Sequence, residues 1–438
     1  MAGRRCSEGV GEGADERGRP RPRVRLSCMG TRAPAGSRRL PTWIALTLVI
    51  VTGINIRAIF GVTPPLIPEI STDLSINATT AGLVTSVPIL SMAAGAPLGA
   101  ILSQRFGTDL AMITLLLTLG LAEASRLALD TAVALILTAG GIGVALGALS
   151  TLSPALITHY LPRMRGVGTA VYVTAMALGV GLAAGTAQPL TDLLGGWRPA
   201  LAAWSLLAWL LAAALYVARE AGAGMPPASA GRERARLPLR EGRAWFLTAA
   251  YSVAMFLGFG VMAWLPSLFI AEGVDPGTAA LYLVAFQVVQ LFSILTLTPL
   301  TDRYDGRRGV YATAMLCSTA GLALLTFDPH HLAIPGLLLA GAGIGASSSL
   351  ALVKVQDEAR SPEDATRLSS MTMLFSFLAG AAGPFLLGVL KDATGSLTPG
   401  FALCLCVSAS SLLLLIRMRP GDRSRHDDPV PLTAVVPE

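Results

Sequence analysis

Charge is the first thing this chain lacks. Asp, Glu, Lys and Arg together make up 14% of its 438 residues, where a soluble domain carries about 25%. That excludes a surface built mainly for water. Acids are scarcest where the chain is most apolar, and only Glu123 falls clearly inside an apolar run, so no proton-relay carboxylate shows itself. Cysteine is sparse too. Cys6 and Cys28 lie in a polar N-terminal stretch, and Cys317, Cys404 and Cys406 lie in apolar segments, where a free thiol behaves as a small hydrophobe. Neither a disulfide framework nor a metal site is expected, and Asp328-Pro329-His330-His331 reads as an ordinary polar loop. No GxxxxGK[ST], no HExxH and no Ser/His/Asp arrangement occurs, which argues against ATP-driven work, hydrolysis and enzyme chemistry at large. The arginines are not interleaved with aromatics, so the net charge of +6 does not point to nucleic acid. No cofactor is implied.

What is present is apolar length. Hydrophobic residues reach 53% and mean hydropathy is +0.62. Apolar runs lie near 42–63, 79–102, 108–127, 131–157, 165–188, 197–218, 244–270, 276–299, 308–327, 332–354, 366–390 and 397–417. Each is close to the roughly 20 residues that cross a bilayer as a helix. The expected architecture is therefore an all-α integral membrane protein with twelve transmembrane helices in two six-helix repeats. The halves are 41–218 and 244–418, joined by a polar linker at 219–243. Residues 1–40 and 419–438 read as tails, the first rich in Arg, Gly, Pro and Ser and expected to be disordered and dispensable. It has no apolar core of a secretory signal, and Met29 is a second expected translation start.

The basic residues are distributed unevenly. With both termini on one side, every Lys and Arg except Arg57, Arg126, Arg198 and Lys391 falls on that side. Such a bias marks the cytoplasmic face. Both termini and the linker are thus expected inside the cell, in a multi-pass protein of the plasma membrane.

The first run holds the residue on which the function turns. Ile44 to Ile70 reads IALTLVIVTGINIRAIFGVTPPLIPEI, with Asn55 and Arg57 near its middle. A charge at that depth is costly, and such residues face a bundle interior or a wet cavity and mark a pathway. The alternative, an arginine that snorkels or holds a structural ion pair, is weaker because the chain stays apolar beyond Arg57. Repetition adds a second signal. AGGIG at 139–143 and AGAGIG at 340–345 align Gly141 with Gly343, and Arg165 aligns with Arg367 at the same offset. Parallel repeats with a site between them are a transporter architecture.

TDRYDGRRG at 301–309 resembles the cytoplasmic loop between the eighth and ninth helices of the major facilitator superfamily, and LSQRFGTDL at 102–110 is its degenerate first-half copy, with Gln104 where the family usually has Asp. Asn55-Ile56-Arg57, Thr63-Pro64-Pro65-Leu66-Ile67-Pro68-Glu69-Ile70, GLVTSVPILSMAAGAPL at 82–98, Arg126, Ser153-Pro154-Ala155-Leu156-Ile157, Gly195-Gly196-Trp197-Arg198 and Arg367-Leu368-Ser369-Ser370-Met371 are similar to the cyanate/nitroimidazole (CynX/NimT) type within it. His159 and Met373 depart from that pattern. The resemblance implies a monomeric secondary or facilitative transporter of a small anion, working by alternating access. Its expected partners are a small-molecule substrate, the lipid bilayer and a coupling proton. It also implies that the first, fourth, seventh and tenth helices line the cavity.

On that frame the expected substrate-binding residues are Arg57, Asn55, Tyr172, Tyr251, Gln287 and Gln290, the two glutamines sharing a helix face. The conformational loop is assigned to Arg105, Gly107, Asp302, Arg303 and Gly306. Trp264 and Pro266 are expected in the interface belt, Glu123 and Arg126 as a structural pair near the outer interface, and His159 as a solvated residue. Gly140, Gly141, Gly143, Gly179, Gly181 and Gly185 are expected to allow close helix contact. The rival reading is an exporter of neutral or cationic drugs, for which a core Asp or Glu beside the site would speak. A remoter rival is a membrane ligand sensor, for which the polar ends are too short.

Overall fold

Apolar runs of this length satisfy their backbone only as helices when no water is at hand, and the chain is helical almost throughout. The computed structural model describes residues 40–225, 237–303, 307–359 and 361–413. The tails, most of the linker and Gly306 lie outside these. In chain order the helices are α1 (Thr42–Asp73), α2 (Ala78–Phe106), α3 (Thr108–Ala124), α4 (Ala132–Tyr160), α5 (Arg165–Leu194), α6 (Trp197–Ala202), α7 (Trp204–Ala218), α8 (Gly242–Ala271), α9 (Pro276–Arg303), α10 (Arg307–Phe327), α11 (Ala333–Asp357), α12 (Pro362–Thr394) and α13 (Thr398–Ser411). The sixth apolar run is divided at Ala203 into α6 and α7, although Ala203 keeps helical dihedrals, φ −57° and ψ −28°. Eleven spans among the described residues are long and apolar enough to cross a membrane, with α13 a shorter apolar helix at the edge of the described chain.

The turns between helices follow from local chemistry. Asn77 caps α2 by accepting from Thr80 N at 2.9 Å. Ser361 caps α12 by accepting from Asp364 N at 3.1 Å, with Pro362 in the first turn, where its missing donor costs nothing. Gly195 and Gly395 end α5 and α12 in the left-handed region, with φ of +79° and +74°, which glycine enters without a Cβ clash.

Pairing of the helices repeats from one half to the other. α1 packs on α5 as α8 packs on α12, and α2 on α4 as α9 on α11. Where the halves meet, α2 packs on α12, α5 on α9 and α1 on α8. Two faces of the bundle result. One, the linker face, carries the start of α1, the α2–α3 turn and the start of α8. The other, the far face, carries the end of α1, the start of α2 and the end of α12. Prolines interrupt α1 at 64, 65 and 68, α5 at 189, α8 at 266 and α12 at 384 toward the far face, and α2 at 97 and α4 at 154 toward the linker face.

Burial differs between the two ends of the central helices. In α1 the linker-face half alternates buried and open residues, while 58 through 67 are buried without a break. In α8 the same change occurs, and 259 through 269 are all buried. An element buried on every side is enclosed by protein, so the far-face half is closed and the linker-face half keeps one open stripe.

Candidate functional site

The open stripe of α1 consists of Thr47, Ile50, Val51, Ile54 and Arg57. These recur at helical spacing and so lie on one face. Arg57 is the last of them. On α8 the corresponding part-open residues are Tyr251, Met255 and Gly258, and the next residue, Phe259, is buried. The two stripes therefore form a vestibule that enters from the linker face and ends at Arg57.

Aromatic rings close its floor. Phe60 of α1 and Phe259 of α8 are tilted against each other with ring centroids 5.5 Å apart. The Arg57 guanidinium lies over both, 5.7 Å from Phe60 and 5.6 Å from Phe259. Cations within about 6 Å of a ring face are held by its quadrupole, so the guanidinium is pinned without a counter-ion. Tyr251 of α8 and Tyr172 of α5 lie near it, and Tyr172 also lies near Ser153 of α4, whose hydroxyl donates to Leu149 O at 2.8 Å. No carboxylate among the described residues forms an ion pair with Arg57. Beyond the rings is a void of only about 10 Å³ between Thr63, Thr85, Pro88 and Pro384, room for about one water.

The far face is held shut by bonds between the halves. Asp392 of α12 accepts from Ala78 N at 2.8 Å and from Thr79 N at 2.7 Å, and also from the Thr79 hydroxyl at 2.5 Å. It thus takes up free N–H groups in the first turn of α2, where a carboxylate is also favoured by the helix dipole. Within the C-terminal half, Trp264 Nε1 of α8 donates to Pro384 O of α12 at 2.9 Å, and the Lys391 ammonium sits 5.1 Å from the Trp264 ring centroid. A Cβ on Gly388 would collide with Ala78 O, so the backbones of α12 and α2 touch there.

The sequence-expected residues divide. Arg57, Tyr172 and Tyr251 come together. Asn55 is buried, with Oδ1 unpartnered, two residues from Arg57 and so on another helix face. Gln287 and Gln290 do not share a surface. Gln287 lines a cavity against α5 that does not include Arg57, and the Gln290 side chain packs against Gly345 of α11. Arg105 lies over the Phe106 ring at 5.4 Å, and Gly107 makes the α2–α3 turn with φ +84°. Asp302 and Arg303 end α9, but their side chains, like Gly306, lie outside the described residues.

Some expectations are overturned. Trp264 is fully buried, because its ring fills the α8–α12 seam rather than a lipid headgroup layer. Glu123 and Arg126 are both buried, yet their side chains do not approach to ion-pair distance, and Glu123 Oε2 and Arg126 Nε and Nη1 are unpartnered. His159 is not simply solvated, since Nε2 meets Ala223 O at 3.2 Å, where the start of the linker folds back on α4. Gly141 faces open space, and Gly181 and Gly185 meet only a side chain, whereas Gly143 and Gly179 do abut the backbones of Pro88 and Ile54.

Phe60, Phe259 and Asp392 were missed. The signal for Phe259 was available, because the repeat offset that pairs Gly141 with Gly343 also pairs Arg57 with Phe259. The ring and the cation that face each other are equivalent positions of the two repeats.

The Major Facilitator Superfamily model matches residues 48–384, and again 247–436. This chain belongs to the major facilitator superfamily. An uncharacterized transporter of Bacillus subtilis, YycB, is 30% identical over 83% of this chain and 90% of its own length. The 2-nitroimidazole transporter of Escherichia coli is 28% identical over 81% of this chain and 89% of its own length, and the cyanate transport protein CynX of the same organism is 23% identical over 86% and 97%. Among solved structures, the D-xylose-proton symporter superposes with a TM-score of 0.69 at 16% identity over 87% of this chain and 97% of that one. A bacterial homolog of the lysosomal transporter Spinster gives 0.68 at 17% identity over 86% and 94%. These likenesses agree with the helical pairing above. The superfamily member is a multi-pass membrane transporter and not an enzyme.

Proposed function

We propose that the chain carries a small organic or inorganic anion, or an equally electron-rich neutral molecule, across the plasma membrane by alternating access, with Arg57 as its principal ligand. One observation carries the reading. Arg57 is the innermost open residue of the vestibule, and it is a guanidinium without a carboxylate partner among the described residues. A buried cation whose counter-charge is absent is a site prepared for an anion. Its planar fork offers two parallel N–H donors. Tyr172 and Tyr251 add hydroxyls beside it, and Phe60 and Phe259 shut out water and hold the fork in place. The 2-nitroimidazole and cyanate of the two named relatives present compact groups of acceptor atoms that suit such a fork. A site walled by aromatic rings leaves little room for a large drug.

The arginine asymmetry supports a cytoplasmic linker face, with both termini on that side. The geometry is then an inward-open state. Substrate reaches Arg57 from the cytoplasm while Asp392 and the phenylalanine pair seal the outside. Turnover requires the halves to rock, parting the far-face bonds and closing the vestibule. Asn55, Gln287 and Gln290 stand outside this arrangement.

Uptake of a small-anion panel into proteoliposomes, with and without a pH gradient, tests the reading together with equilibrium binding to Arg57→Lys and Arg57→Ala. Loss of binding at normal membrane abundance supports it. Unchanged affinity in both variants would remove Arg57 from the site.

A further inference from the structure

The seam between α5 and α9 is built differently from the other helix crossings. At the α1–α5 crossing, a Cβ on Gly179 would strike the Ile54 backbone. At the α5–α9 crossing, Gly181 and Gly185 meet only the Val284 side chain, at 3.7 and 3.4 Å. The glycines therefore do not bring the backbones together, and a cavity of about 280 Å³ remains between the two helices. That is close to the roughly 300 Å³ at which small-molecule pockets begin. Its walls are apolar, and its rim is formed by Leu178, Leu182, Leu281 and Val288, all exposed as residues bordering lipid are.

Two polar side chains line it. The Thr186 hydroxyl donates to Leu182 O at 2.7 Å and is satisfied within its own helix. Gln287 is only 6% exposed, and its Oε1 has no hydrogen-bond partner. A buried polar group left unpaired is expensive to keep, and hydrocarbon cannot pair with it. No charged side chain lines the cavity, so an anion of the kind that suits Arg57 has no counter-charge here.

We infer that the α5–α9 crevice is a second ligand site, distinct from the vestibule, for a small neutral amphiphile that enters from the bilayer with an apolar body in the crevice and one hydroxyl or N–H donated to Gln287 Oε1. Because α5 and α9 belong to different halves, the occupant bridges them and holds the seam in this conformation. The inference does not depend on what Arg57 binds, since it is read by labelling rather than by transport.

The experiment photolabels the full chain in proteoliposomes with an octanol carrying a diazirine on its chain, and maps the adducts by mass spectrometry. Adducts should concentrate on 177–186 and 281–291 and be displaced by excess unmodified octanol. Gln287→Leu should cut this labelling about three- to tenfold, the loss of one hydrogen bond of about 0.6 to 1.4 kcal/mol. A diazirine alkane lacking the hydroxyl should label wild type and variant alike. Ala177→Leu, which fills the crevice and leaves the amide in place, should abolish saturable labelling and decides the matter should Gln287→Leu not fold. Adducts spread evenly over the lipid-facing surface, or octanol labelling indifferent to both substitutions, would overturn the inference and leave a seam filled by lipid alone.

Discussion

The two ends of the same bundle are held by different chemistry. At the far face the halves are joined by directional bonds: Asp392 reaches across to the first turn of α2, to two backbone N–H groups and the Thr79 hydroxyl. At the linker face the described ion pairs stay within one half. Arg243 reaches Glu358 at 3.2 Å and Asp364 at 3.5 Å, all on the C-terminal half, and Asp109 accepts from Met225 N at 2.6 Å within the N-terminal half. An end tied across the halves is shut, and an end tied only within each half is free to part. The difference teaches that openness here follows the polar groups that cross the seam together with the packing of the central helices, which are buried on every side only toward the far face.

The comparison can be broken at the place where the two ends meet. Arg57→Ala should have the largest effect, a fall of tenfold or more in affinity for a small anion, equivalent to at least about 1.4 kcal/mol, with normal membrane abundance because removing a charge eases insertion. Arg57→Lys should fall less, keeping the charge and losing the fork. Equilibrium binding and quantitative blotting of both variants check this.

Next in size is Asp392→Ala. Hydrogen bonds to a charged group contribute about 1.5–3 kcal/mol each, and Asp392 makes several across the seam. The closed far face should lose population by at least tenfold. A cysteine placed at Thr63, beyond the phenylalanine pair, should then react faster with a small thiol reagent added at the far face. An unchanged rate would mean that the bonds to α2 do not hold the end shut.

Trp264→Phe sharpens the same contrast with a smaller change. It keeps most of the ring and deletes one hydrogen bond inside the C-terminal half, a bond that does not cross the seam, so the Thr63 cysteine should react within about twofold of the wild-type rate, a shift of under about 0.4 kcal/mol. Smallest of all is removal of residues 1–28. The chain begun at Met29 should insert and transport as the full chain does, and failure to accumulate would give the tail a role.

Most of the fold was legible because hydropathy reports it directly. Apolar runs of membrane length have one viable conformation in lipid, and the described helices follow them. Arg57 stood out because a charge in an apolar run is an exception that needs a cause. Tyr172 and Tyr251 could be named but not placed. A tyrosine in a membrane helix has the same sequence signature whether it faces a cavity or a neighbour. The glutamines show the limit of spacing arguments, for Gln287 and Gln290 are close on one helix yet pack against different partners, α5 and α11. Asp392 was hidden for a related reason. An acid near a helix end looks like a solvated terminus, and only the fold reveals that the first turn of another helix lies against it.

The prolines of the far face have a mechanical meaning. Each removes one rung from its helix's hydrogen-bond ladder and leaves a carbonyl four residues earlier without its usual donor. In α1, Pro64, Pro65 and Pro68 do this to Phe60, Gly61 and Pro64 in turn, so the stretch that starts at the sealing ring is the least stiff part of the helix. This helix is therefore most compliant where it is most tightly shut. When the bonds of Asp392 let go, the end they close can yield by bending the soft turns of α1, and the stiffer linker-face half of that helix can swing as a lever about the level of Arg57.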